Sequence, residues 1–236
     1  IESDKFEEAY TILSGLGEYK DSHNLKNEAL LNLAQVGDTV YFGSFEQDNN
    51  VENSVDDVEW YVLDKKDDSL LLLSKYCLTA TEFDKYGNNI WVSSDVRKWL
   101  NNDFFNKAFS DTEKKKIKYT INSDIANEQY GFYEKACDKV FLLSKDEVEK
   151  YLSAEQRKAE STLYAQKRGA LDKISNWWTR TKGDERNNEY EDSSCVTYVD
   201  TKGVLKRNEY DGFSTTSTTA VRPAVWISLK ENKIEQ

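Results

Sequence analysis

Methionine is absent from this chain of 236 residues, proline and histidine each occur once, and cysteine occurs three times. A translated reading frame begins with methionine, so a chain opening at Ile1 reads as a processed or trimmed product, with a signal peptide or lipid anchor as the expected missing piece. The three cysteines, Cys77, Cys137 and Cys195, are odd in number and widely spaced. That excludes a disulfide framework and a CxxC metal site, and it allows one intramolecular disulfide at most. The histidine, His23, sits in the polar stretch KDSHNLK, where a solvent-exposed side chain is expected, so a Ser-His-Asp site or a histidine-built metal centre is excluded. No apolar run approaches the roughly 18 residues that a membrane span needs.

The residues that are present make an acidic, aromatic chain. Asp and Glu number 43 against 32 Lys and Arg, a net charge of -11 that repels phosphate backbones and argues against nucleic acid as a partner. Aromatic residues are 13% and hydrophobic residues 38%, so rings must fill much of the core, and that composition leans toward β structure. The length suits one large domain with a small appendage, stabilised by a core without staples.

Phe6, Ala9, Tyr10 and Leu13 recur at helical spacing, Gly15 and Gly17 stop that helix, and a second runs from about Asp21 to Ala34. These predict a helical hairpin over residues 1–35, followed by an α+β domain over residues 36–236. In that domain DTVYFGSFEQD alternates as a strand, and VEWYVLDKKDDSLLLLSKYCL reads as a β-hairpin whose leucines, Leu70 to Leu73, suit a central strand covered on both faces. A helix capped by Ser93 or Ser94 carries Val96, Trp99 and Leu100 on one face. Capping-box spacing recurs at Ser110/Glu113, Ser144/Glu147 and Ser153/Gln156. KVFLLS, NWWTRT, SCVTYVD and AVRPAVWISL are further expected strands, the last an edge strand or bulged at Pro223.

Four features carry the functional question. In NWWTRT, period-two alternation puts Trp177 and Thr179 on one side and Trp178 and Arg180 on the other. Trp178 with Arg180 would offer a ring face and a cation to a ligand; an interior pair of rings between packed layers is the more ordinary arrangement. Arg97 and Arg222 are expected inside, paired with carboxylates such as Glu59 or Asp95. Asp48, Asn50, Glu52, Ser54, Asp56 and Glu59 nearly match the spacing of an EF-hand calcium loop, but Asn53 stands where glycine is needed and the flanks are strands. Cys195 alternates inward as a small hydrophobe. No pair of carboxylates stands out as an acid and base, and no catalytic residue and no cofactor are expected apart from that calcium possibility.

The order VGDTVYFGSFEQD, DVEWYVLDKKDDSLLLLSKYCL, SSDVRKWLNNDFFNKAFS, DKVFLLSKDEVEKYL, NWWTRTKG and AVRPAVWISL, from about Gly37 to Leu229, resembles the DUF6273 domain family of Gram-positive bacteria. The present chain reads WWTRTKG where the family form is closer to WWLRSPG. AYTILSGLGEYKDS, in the hairpin, is similar to a tetratricopeptide-like half-repeat. The resemblance implies a C-type-lectin-like fold, the scaffold of formylglycine-generating enzymes, and a secreted or surface-anchored protein. The expectation is then a non-catalytic recognition module. It would bind a glycan or a protein through the polar loops Thr181–Ser194 and Arg207–Thr219, with Trp178, Arg180, Tyr190 and Tyr210 as candidate ligand contacts. The alternatives are a thiol- or copper-dependent oxidase of the formylglycine type, which needs a reactive Cys195, and a purely structural spacer.

Overall fold

The computed structural model describes residues 2–16, 22–127, 132–183, 195–206 and 214–230, and shows a mixed α+β chain. Helices α1 (Glu2–Gly15) and α2 (Ser22–Leu33) form the expected hairpin. The strands of the body are β1 (Thr39–Phe45), β2 (Asp56–Lys66), β3 (Ser69–Ser74), β4 (Thr79–Thr81), β5 (Thr120–Asn127), β6 (Phe132–Asp138) and β7 (Ala159–Glu160). They continue as β8 (Ile174–Ser175), β9 (Trp177–Lys182), β10 (Val196–Val199), β11 (Leu205–Lys206), β12 (Thr219–Val221) and β13 (Ala224–Ser228). Between them lie the short helices α3 (Asp95–Trp99), α4 (Phe105–Ala108), α5 (Asp111–Lys116), α6 (Lys145–Tyr151), α7 (Ala154–Arg157) and α8 (Leu163–Lys167).

Two sheets share the core. One is antiparallel with the order β1-β2-β3-β13; the other runs β11-β10-β9-β12-β4, with β9 and β12 parallel. The leucine-rich strand β3 is buried at every position, as a strand flanked by β2 and β13 and covered on both faces must be. Its hairpin turns through Asp67, which takes a left-handed conformation (φ 50). Leu70, Leu72, Trp60, Trp177, Phe104 and Ile227 all lie in one continuous hydrophobic cluster.

The stretch AVRPAVWISL is two strands in different sheets rather than one, although its second half, β13, does stand at the edge of the four-stranded order. β12 ends at Val221 in the five-stranded sheet, Arg222 and Pro223 cross over, and β13 begins at Ala224 against β3. Pro223, which has no N–H to give a ladder, stands at the one point where neither sheet needs it, and its carbonyl accepts from Ser74 N at 2.9 Å. KVFLLS also departs from expectation: it is a buried extended segment joined to strands by a Phe141–Ala224 bridge and by Arg180 N donating to Leu143 O (3.0 Å). Side chains satisfy part of its backbone instead, with Asn101 Oδ1 accepting from Lys139 N and Arg180 Nη1 donating to Leu142 O, both at 2.8 Å. The β5–β6 hairpin, with no counterpart in the sequence reading, precedes it.

The helix signals hold in detail. Ser94 caps α3, and Ser110/Glu113, Ser144/Glu147 and Ser153/Gln156 all close full capping boxes. After Trp99 the helix passes through a π turn, Leu100–Phe104, before α4. His23 is not simply exposed; its Nε2 lies 2.5 Å from Asp57 Oδ2, and with Lys116–Glu28 (2.6 Å) it ties α2 to the body.

Candidate functional site

Trp177 and Trp178 lie on opposite sides of β9, as alternation requires, and both are fully buried. Trp177 Nε1 donates to Arg157 O (2.8 Å) and Trp178 Nε1 to Thr81 O (3.0 Å), so each indole is satisfied inside the fold. Arg180 is 5% exposed; its Nη1 reaches Glu147 Oε2 at 2.5 Å and Leu142 O at 2.8 Å. Neither Trp178 nor Arg180 presents a face to a ligand, and the interior reading of the tryptophan pair is the one the structure has. Tyr190 and Tyr210 lie outside the described residues. The flanks of their loops are anchored side by side: Gly183 N donates to Cys195 O (3.0 Å), and Cys195 bridges Ser214.

The interior arginines take other partners than those expected. Arg97 Nε pairs at 2.6 Å with Asp138, a carboxylate with no solvent exposure that also accepts from Trp91 Nε1 (2.9 Å) and Asn122 Nδ2 (2.8 Å). Arg222 meets no carboxylate among the described residues: Nε donates to Ser74 O and Nη1 to Gln156 O, both at 2.8 Å, and Nη2 to Lys75 O at 3.4 Å. Burial lowers its pKa to about 10. Glu59 pairs with Lys75 and Asp95 with Lys98.

The calcium-like spacing does not converge as six ligands. Asp48 is occupied by Asn53 Nδ2 (2.7 Å) and Asn50 N (2.8 Å), contacts that hold its carboxyl below the usual range, and Glu59 is taken by Lys75. Glu46, Asp48 and Asp56 do bring carboxylate oxygens within 4.8 Å of one another. Of the three cysteines, none of them in a disulfide, Cys77 is the deeply buried one, with desolvation pushing its thiol up to about 12; Cys137 is exposed and Cys195 half-buried, not the enclosed hydrophobe expected.

Among the described residues, a cleft of about 550 Å³ is lined by Phe45, Glu46, Trp99, Asp103, Lys107, Tyr164 and Arg168, among others. It falls within the roughly 300–1,000 Å³ typical of small-ligand sites. Phe45 is the hub, meeting Tyr164 edge-on at 5.6 Å, Trp99 edge-on at 6.3 Å and Phe104 at 5.1 Å. The π turn that follows Trp99 carries Asp103, and such turns recur at functional sites.

Helix α8 builds the other wall from local rules. Thr162 caps its start by accepting from Ala165 N (3.1 Å). Gly169 (φ 107) ends it, with Gly169 N donating to Gln166 O and Ala170 N to Ala165 O, both at 3.0 Å, the double bond of a Schellman motif. A Cβ at Gly169 would come within 2.8 Å of Thr218 Cγ2, so glycine also lets this turn seat closely. Tyr164 and Arg168, four apart on one helical face, stack with the guanidinium 4.4 Å from the ring centroid. Periodicity puts Trp99 on one helical face with Val96 and Leu100, and Tyr164 and Arg168 drew no expectation; the available signals were Thr162 and Gly169, which bracket a helix too short to show periodicity.

A family model described as "Domain of unknown function (DUF6273)" matches residues 67–229, beginning in the β2–β3 turn and so later than Gly37. No curated protein and no solved structure matches the chain.

Proposed function

This chain belongs to the DUF6273 family, and from that premise we propose that it is a non-catalytic recognition module, secreted or displayed on a cell surface, that binds a glycan in the Trp99–Tyr164 cleft. The scaffold is read as C-type-lectin-like, a reading supported by two antiparallel-rich sheets joined by short helices, with long loops rooted together at Cys195 and Ser214. The observation that carries the function is the cleft itself: a half-buried indole braced by Phe45 and Phe104, with carboxylates and cations around it. An apolar ring face suits the C–H surface of a sugar, and the surrounding charges suit its hydroxyls.

The oxidase reading calls for a reactive Cys195, so reaction of the native chain with a thiol reagent tests it, and an inert Cys195 rules it out. No cofactor is needed for recognition. A glycan array probed with the intact chain tests the proposal, together with Trp99→Ala, which should weaken any hit by about tenfold or more. Hits that survive Trp99→Ala unchanged, or an array without hits, would overturn it.

A further inference from the structure

Resting on the glycan reading of the cleft, we infer that its ligand is a saccharide bearing an isolated carboxylate, stacked on Trp99 and gripped by Arg168 with Lys107 beside it. Five arginines are described, and four of them spend their guanidinium groups inside the chain. Arg97 binds Asp138, Arg157 donates to Leu152 O, Arg180 binds Glu147 and Arg222 is caged by carbonyls. Arg168 differs: its guanidinium lies over Tyr164 and makes no hydrogen bond or ion pair with a described residue. The ring and the Schellman turn hold it at the wall of an aromatic cleft with its donors unspent. Lys107, from α4, is a second exposed cation in the same cleft and likewise forms no ion pair with a described residue.

The surroundings narrow the anion. Glu46 and Asp103 line the same cleft, and the whole chain carries a net charge of -11. Repulsion from distant charges is screened beyond about 8 Å at physiological salt, so one carboxylate held in contact by a guanidinium fork is favoured locally. A polyanion, or a doubly charged phosphate beside those two carboxylates, is not. Glu46 and Asp103 are then available to accept from sugar hydroxyls, which neutral and acidic saccharides both supply.

Calorimetric titration of the full chain with three probes separates the possibilities: a neutral hexose oligosaccharide, its uronic-acid-bearing counterpart and a hexose phosphate. The uronate should bind about tenfold tighter than the neutral sugar, and Arg168→Gln should erase that preference while the folded CD spectrum persists. Equal affinity for neutral and acidic sugars, a preference that survives Arg168→Gln, or tighter binding of the phosphate would each overturn the inference. Neutral binding that still depends on Trp99 would leave the glycan reading standing while this inference fails; no binding of any probe would remove both.

Discussion

The Arg222 guanidinium lies 5.1 Å from the centroid of the Trp177 ring and 5.9 Å from that of Tyr61, a buried cation held between aromatic faces and backbone carbonyls. Those carbonyls come from the end of β3 and the end of α7, so the side chain fastens a helix and two sheets at the point where the chain changes sheet. Arg222→Met keeps much of the volume but strands the carbonyls, and should cost about 3 kcal/mol. Arg222→Lys should cost nearly as much, because an ammonium cannot span three separated acceptors. Urea denaturation checks both; a midpoint unchanged for the methionine variant would show that the carbonyls find other donors.

Asp138 joins α3, the Trp91 turn and the β5–β6 hairpin through one buried carboxylate. Asp138→Asn removes the countercharge from Arg97 and should destabilise the protein by about 3 kcal/mol. For a chain of this size that is a fall in Tm of roughly 6–12 °C, measurable by thermal CD.

Glu147 serves two masters: Oε2 accepts from Ser144 N at 2.9 Å, closing a capping box, and from Arg180 Nη1. Ser144→Ala loses only the cap, about 1 kcal/mol. Glu147→Ala also takes a carboxylate from the buried Arg180 and should cost about 2–3 kcal/mol. A double-mutant cycle with Arg180→Met should return a coupling of at least about 1 kcal/mol, and additive losses would show that the two side chains act separately.

Cys77 makes stability fall in alkali. Its thiol is raised by burial from an ordinary 9.0 to about 12, so above pH 9 the unfolded chain loses a proton that the folded chain keeps, and folding weakens with rising pH. Arg222, lowered by burial to about 10, opposes this from pH 10 upward, because there the folded state sheds a proton first. Tyr41, Lys75 and Lys150, all raised in the folded chain, add to the fall as their unfolded forms begin to titrate near pH 10, so between about pH 9 and 10 the thiol is the main contributor, with a slope of up to ~1.4 kcal/mol per pH unit. Denaturation at those two pH values should show the fall in the native chain and a shallower one in Cys77→Ala.

Local chemistry was legible where it is local. Three capping boxes, the β2–β3 hairpin and the buried leucine strand follow from spacings of a few residues, and the structure has them all. The sheet change at Arg222–Pro223 was not, because an apolar run reads as one strand unless its distant partners, β4 and β3, are known. Arg222 was assigned a carboxylate because carboxylates are visible in a sequence, whereas its true acceptors are carbonyls, which every residue carries. Trp99 shares a helical face with Val96 and Leu100, but periodicity reports which side a residue faces and not how deep it lies; those two neighbours are fully enclosed while Trp99 is only half covered.

The crossover at Arg222–Pro223 also sets a timetable. During synthesis β3 is made long before its neighbour β13, and at about 5–20 residues per second the ribosome leaves that leucine edge waiting on the order of ten seconds. An unpaired, uncharged edge of this kind is the sort that recruits other chains, so a nascent polypeptide halted before Thr219 would be expected to clump or to be held by a chaperone. One ten-residue stretch, arriving late, closes both layers at once.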